Sequence, residues 1–213
     1  MTPQEASEQA RNVCALAPVI PVSTIPNASK AEGLARALVA GGLPALEVTL
    51  RTPAALDAIR VMAQIDGGVV GAGTLMTPAD VVAAKKAGAL FGVSPGSSPR
   101  ILDKAEEVGL PMLPGAVTAP EVMALLERGY TMLKFFPAEA SGGAPALGAF
   151  SGPIPQATFC PTGGVSLSNV DEYLGLKNTI CVGGSWVAPS GLIEAEDWDG
   201  IEQLARAAAA LGA

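Results

Sequence analysis

Eight short apolar runs, parted by alanine-rich amphipathic stretches, constrain this 213-residue chain more than any other feature. They cover residues 19–22, 46–50, 69–73, 91–94, 112–115, 132–136, 157–160 and 179–182. The runs recur at roughly 20–28 residues, the length of one strand followed by one helix. The stretches between them carry helix signals. A helix is expected over residues 29–40, stopped by Gly41-Gly42. Thr52-Pro53 reads as an N-cap followed by proline at the first helical position, and Thr77-Pro78, Ser98-Pro99 and Ala119-Pro120 repeat the device. Ser166 and Asp197 are candidate openings for later helices, and residues 204–211 read as a C-terminal one. No linker, charge block or low-complexity segment divides the chain, so a single domain over residues 1–213 is expected. The fold class is α/β. Eight strand–helix units point to a (β/α)8 TIM barrel, with an open doubly wound sheet as the second arrangement the pattern allows.

Composition removes several functions. The chain is 49% hydrophobic and 15% charged, enough to bury a large core. No uninterrupted apolar run reaches the roughly 18 residues that a membrane span needs. The polar start Met1-Thr2-Pro3-Gln4-Glu5 has no signal-peptide pattern, so a cytoplasmic location is expected. A net charge of -7 gives no support to nucleic-acid binding. Cys14, Cys160 and Cys181 are widely spaced and form no Cys-x-x-Cys pair, which fits a reducing compartment. Cys160 and Cys181 sit in apolar runs and read as small buried hydrophobes. Histidine is absent from the sequence. Ser-His-Asp and Cys-His catalysis, histidine metal sites and imidazole proton shuttles are therefore excluded. Acid–base work falls to Glu, Asp, Lys, Tyr or Cys, and no metal or cofactor is expected.

Lys134 stands inside Met132-Leu133-Lys134-Phe135-Phe136-Pro137, an apolar and aromatic run. A lysine ammonium is almost never fully buried without a partner. The other lysines, Lys30, Lys85, Lys86, Lys104 and Lys177, lie in polar or helical contexts. Burial disfavours the charged form, so some neutral amine is expected, and a neutral amine forms Schiff bases with carbonyl substrates. The segment alone leaves a structural lysine, paired to a carboxylate or snorkelling from the strand end, equally open.

Glu47, Thr49 and Arg51 alternate with Val48 and Leu50, so the three polar side chains share one face of the second strand. Barrel interiors are normally apolar, and an internal ion pair bracing the barrel is the structural explanation. The functional one gives Arg51 a substrate carboxylate and Glu47 the proton transfers. Gly71-Ala72-Gly73-Thr74 closes the third strand, where the Thr74 hydroxyl is a further candidate for a carboxylate oxygen. Thr162-Gly163-Gly164 and Gly183-Gly184-Ser185 end the seventh and eighth runs. In many barrels these loops, with a following helix N-terminus, cradle a phosphate through backbone amides. An amine, a carboxylate base, a carboxylate clamp and a phosphate site together describe a lyase for phosphorylated 2-keto acids. A phosphate-ligand-binding barrel without catalysis is the reading from a different class.

The segments Glu47-Val48-Thr49-Leu50-Arg51-Thr52, Gly71-Ala72-Gly73-Thr74, Ser94-Pro95-Gly96, Lys134-Phe135-Phe136-Pro137-Ala138-Glu139, Cys160-Pro161-Thr162-Gly163-Gly164 and Gly183-Gly184-Ser185-Trp186 carry a family resemblance. Over about residues 19–189 the chain closely resembles the 2-keto-3-deoxy-6-phosphogluconate (KDPG) aldolases, also called 4-hydroxy-2-oxoglutarate (KHG) aldolases. The resemblance implies a metal-independent class I aldolase with Lys134 as Schiff-base lysine and Glu47 as general acid/base. It implies Arg51 and Thr74 at the pyruvyl carboxylate, and Gly163, Gly164, Gly184 and Ser185 around the phosphate. It also implies a homotrimer and a role in the Entner–Doudoroff pathway, yielding pyruvate and glyceraldehyde 3-phosphate. Some members carry an arginine at the end of the first strand, where this chain has Ser23-Thr24. Anion binding then rests more heavily on Arg51 and the backbone. The galactonate-derived epimer and unphosphorylated 4-hydroxy-2-oxoglutarate remain open as substrates.

Overall fold

The computed structural model describes residues 1–212; Ala213, the last residue of the expected domain, lies outside them. The strands are β1 (Val19–Ser23), β2 (Ala45–Thr49), β3 (Val69–Gly73), β4 (Phe91–Val93), β5 (Met112–Leu113), β6 (Gly115–Ala116), β7 (Met132–Phe135), β8 (Thr158–Pro161) and β9 (Val182–Gly184). All named pairs are parallel. One sheet orders β5-β4-β3-β2-β1-β9 and the other β6-β7-β8. The order follows the chain without the reversal of a doubly wound sheet. β1 lies between β2 and β9, so the sheet curls until its first strand meets its last.

The expected fifth run is split at Pro114, which separates β5 from β6. Proline supplies no ladder N–H, yet its carbonyl still accepts from the Lys134 amide at 2.9 Å. Between β8 and β9 the structure has isolated bridges, Phe159 with Thr179 and Thr162 with Gly183. The eighth run therefore needs correction. Residues 179–180 only bridge β8, and the ladder with β1 begins where the Val182 amide reaches Pro18 O.

The helices are α1 (Pro3–Cys14), α2 (Ala31–Ala40), α3 (Ala55–Met62), α4 (Pro78–Lys86), α5 (Pro99–Val108), α6 (Ala119–Arg128), α7 (Gly143–Gly148), α8 (Val170–Leu174), α9 (Ser190–Ala195) and α10 (Trp198–Ala209). Thr77, Ser98 and Asp197 cap their helices as expected. At Ala119-Pro120 the capping box belongs to Thr118 and Glu121. Thr52 does not cap α3. Its hydroxyl donates to Ile25 O at 2.6 Å, and the helix opens later without a side-chain cap. Ser166 likewise opens a turn rather than a helix, its amide held by Asn169 Oδ1 at 2.8 Å.

Strand alternation divides the core. Leu46 and Val48 face the helices, while Ala45 joins an inner cluster with Ile20, Phe91, Val93, Leu113, Met132, Cys160 and Cys181. Helix α1, unforeseen in the sequence, supplies Ala10 and Cys14 to that cluster. Ser7 Oγ accepts from the Thr131 and Met132 amides at 2.9 and 3.0 Å, and Arg11 donates to Thr158 Oγ1 at 2.6 Å. These bonds hold α1 over the N-terminal ends of β7 and β8. Each large apolar side chain buried here contributes about 1.5–3 kcal/mol. Among the described residues no helix is long and apolar enough to cross a membrane.

Candidate active site

The inward faces change character toward the strand C-termini. Two residues beyond Ala45 comes Glu47, and two beyond Met132 comes Lys134. Both are buried, Lys134 at 5% and Glu47 at 3% exposure. Lys134 Nζ lies 3.4 Å from Glu47 Oε1 and 5.2 Å from the centre of the Phe136 ring. Gly73 makes room for this pair, since a Cβ there would overlap the Glu47 carboxyl. Burial pushes the Glu47 carboxyl above its ordinary range, and the nearby Lys134 charge opposes part of that rise. A buried amine and a buried carboxyl in contact, with the acid weakened by burial, are placed to pass a proton between them. The pair also satisfies the structural explanation of each charge. The internal ion pair and the arrangement that proton transfer would need are thus the same two side chains.

Arg51 follows β2 and is exposed at the strand ends. Its Nε donates to Thr74 Oγ1 at 3.3 Å. Thr74 has a φ of 62°, a left-handed conformation that costs a threonine energy. The strained turn keeps its hydroxyl against the guanidinium. Thr49 Oγ1 donates to Ser23 O at 3.2 Å and pairs with Thr24 Oγ1 at 2.9 Å. Short hydroxyl side chains thus occupy the first-strand corner.

A cavity of about 270 Å³ opens beside the dyad. Arg51, Phe136, Thr162, Gly163, Gly164 and Ser185 line it, and Phe136 is shared with the lysine. Gly183 also lines it, whereas Gly184 does not. Gly163 and Gly164 have φ of 97° and 83°, which only glycine adopts freely. Among the described residues, the amides of Gly163, Gly164 and Val165 donate to no protein group. Unpaired amides on one turn are suited to an anion. The expected help from a following helix is missing, because α8 begins only at Val170 and has 5 residues. A larger groove of about 440 Å³ between α5 and α6, around Leu102, Leu125 and Arg128, contains none of the strand-end groups.

Thr162, Phe136, Thr49 and Thr24 stand within segments named from sequence, none of them with a role of its own there. Thr162 stands two residues past inward-facing Cys160, and Thr49 two past Glu47, so alternation alone marks both. Among the described residues no cluster of three or more His, Cys, Asp or Glu is placed to hold a metal ion.

The family model described as KDPG and KHG aldolase matches residues 10–204. The KHG/KDPG aldolase of Escherichia coli is 46% identical over 200 residues, covering 93% of this chain and 94% of its own. The KDPG aldolase of Zymomonas mobilis, solved with 3-phosphoglycerate, superposes with a TM-score of 0.92 at 44% identity, covering 96% of each chain. The Legionella pneumophila KDPG aldolase, solved with pyruvate captured as a covalent carbinolamine, superposes with a TM-score of 0.90 at 44% identity. That match covers 93% of this chain and 97% of the other.

Proposed function

This chain belongs to the KDPG and KHG aldolase family, and we propose that it is a class I aldolase cleaving KDPG to pyruvate and glyceraldehyde 3-phosphate. The observation that carries the reading is the buried Lys134 amine 3.4 Å from the Glu47 carboxyl. The carbinolamine of the Legionella pneumophila relative supports imine chemistry.

In the reaction, Lys134 passes a proton to Glu47 and attacks the C2 carbonyl. The carbinolamine loses water and becomes a protonated imine, an electron sink for the bond that breaks. Glu47 takes the C4 hydroxyl proton, directly or through water, as the C3–C4 bond cleaves. The aldehyde half leaves with the phosphate. The enamine is protonated at C3, and hydrolysis of the imine frees pyruvate and the lysine. Arg51 and Thr74 hold the pyruvyl carboxylate. The turns that include Gly163, Gly164, Gly184 and Ser185 hold the phosphate, a role supported by the unpaired amides of Gly163 and Gly164. No step calls for a metal or cofactor.

Architecture enters the same proposal. The two sheets form one closed (β/α)8 barrel and a single domain over residues 1–213, with β5 and β6 as one strand interrupted at Pro114. The Pro114 carbonyl bond and the β8–β9 bridges support closure. Family membership supports a cytoplasmic homotrimer and a place in the Entner–Doudoroff pathway. Sedimentation equilibrium should give three times the chain mass, and a monomer at assay concentrations would remove the trimer.

A second reading keeps the lysine chemistry on 4-hydroxy-2-oxoglutarate, favoured by the double name of the Escherichia coli relative. Comparing kcat/KM for KDPG, its galactonate epimer and 4-hydroxy-2-oxoglutarate tests the assignment. KDPG should give the highest value. Higher efficiency on either alternative would reassign the substrate, and no pyruvate from any of the three would end the aldolase reading.

A further inference from the structure

Glu139 lies just past β7 and is not among the residues lining the cavity. Its contacts nevertheless converge on the Gly163-Gly164 turn. The Ala138 and Glu139 amides donate to Thr162 O at 2.8 Å and Gly163 O at 3.0 Å, extending the β7–β8 pairing beyond both strand ends. The Glu139 side chain then packs against Gly164, where a Cβ would stand 2.5 Å from Glu139 Cγ. Its carboxylate accepts a hydrogen bond from the Tyr173 hydroxyl. Tyr173 is fully buried on α8, the helix into which the turn leads. From the other side Asn169 donates to Gly164 O at 3.1 Å.

Two consecutive glycines cannot hold a conformation by themselves. Glycine loses more backbone freedom on ordering than any other residue. Keeping three amides in a fixed array therefore requires outside props, and preorganised donors bind an anion better than mobile ones. The prop on the β7 side is one carboxylate tied to one buried phenol.

We infer that the Glu139–Tyr173 pair is a positioning element that fixes the amides of Gly163, Gly164 and Val165 for the substrate phosphate, and so sets preference for phosphorylated over unphosphorylated 2-keto acids. This rests on the phosphate reading of the turn given above. The pair touches no reacting atom, so the amine chemistry is independent of it.

The experiment measures KM and kcat of Tyr173→Phe and Glu139→Ala on KDPG and on 4-hydroxy-2-oxoglutarate, with inorganic phosphate as competitive inhibitor of each. Both variants should raise KM for KDPG roughly 5- to 10-fold, the scale of one lost charge-assisted hydrogen bond. The phosphate inhibition constant should weaken by the same factor, with kcat on both substrates and KM for the unphosphorylated one unchanged. Equal losses on both substrates would assign the pair a general structural role and overturn the inference. A lower KM for KDPG in Glu139→Ala would also overturn it, because the carboxylate would then be repelling the phosphate. Gly164→Ala tests the phosphate reading separately, since its methyl group disturbs the turn directly. If that variant raises KM for KDPG while Tyr173→Phe does not, the positioning inference alone fails. If none of the three changes KM for KDPG or phosphate inhibition, the phosphate reading fails with it.

Discussion

The two ends of the strand interior differ more in chemistry than in burial. Toward the N-terminal ends, Ala45 and Met132 join the apolar cluster that includes Phe91 and the α1 residues Ala10 and Cys14. One inward position further along the same strands stand Glu47 and Lys134, both buried, with Cys160 in register with Lys134. A single strand face thus passes from apolar to ionisable within two residues. The apolar end is stabilising and closed by a helix. The polar end places two groups where neither is well solvated, and the burial that raises Glu47 acts on a proton acceptor within reach of an amine. The apolar layer stabilises, and the proposed chemistry is assigned to the polar one.

The largest test of this contrast is Lys134→Ala. It should lower KDPG cleavage by at least about a thousandfold, because covalent catalysis ends with the amine. Circular dichroism and the unfolding transition should remain cooperative, since the apolar end is untouched. A variant retaining a tenth or more of wild-type activity would break the contrast.

Glu47→Gln keeps the shape and removes the proton acceptor. Its kcat should fall about 10²–10⁴-fold. The acid limb of kcat/KM in the wild-type enzyme should lie above the ordinary carboxylate value of 4.5 and vanish in the variant. Stability carries a matching sign. The native carboxyl keeps its proton to higher pH than the unfolded chain, so its contribution is fully present below 4.5 and is lost as pH rises through the raised native value. Urea titrations should show wild type losing stability relative to Glu47→Gln over that window. A difference independent of pH would contradict the burial argument.

Gly73→Ala leaves both charged groups in the chain but displaces the Glu47 carboxyl. Steady-state assays should show kcat/KM down about 100-fold, the scale of a small misplacement of a catalytic group. The accompanying stability loss should be about 1–3 kcal/mol. The smallest kinetic effect belongs to the apolar end. Cys14→Ser places an extra polar group among buried side chains and should cost about 1–3 kcal/mol of stability in denaturant titration, with kcat unchanged.

The sequence exposes the polar layer better than its closure. Lys134 announces itself because a charge interrupts an apolar run, and Glu47 because strand alternation turns it inward. Strand positions were legible for the same reason, hydrophobicity at a steady interval. Helix α1 was hidden because its buried face consists of Ala6, Ser7, Ala10 and Cys14, small residues with little hydropathic contrast, although the Thr2 and Glu5 capping box marks its start. The eighth run was misplaced because hydropathy records burial and not the partner strand, and Thr179 turned out to bridge β8 only. Thr52 has the right sequence for a cap, but Ile25 O offered its hydroxyl a better acceptor. The Glu139–Tyr173 bond joins residues 34 apart, a pairing that only the fold reveals.

The claim on which the rest depends is that Lys134 carries the substrate. Incubating the protein with pyruvate, reducing with borohydride and mapping the modified peptide by mass spectrometry tests it directly. The account predicts a reduced pyruvyl adduct on Lys134 alone, absent when pyruvate or borohydride is omitted. No adduct, or an adduct confined to Lys30, Lys85, Lys86, Lys104 or Lys177, would contradict it.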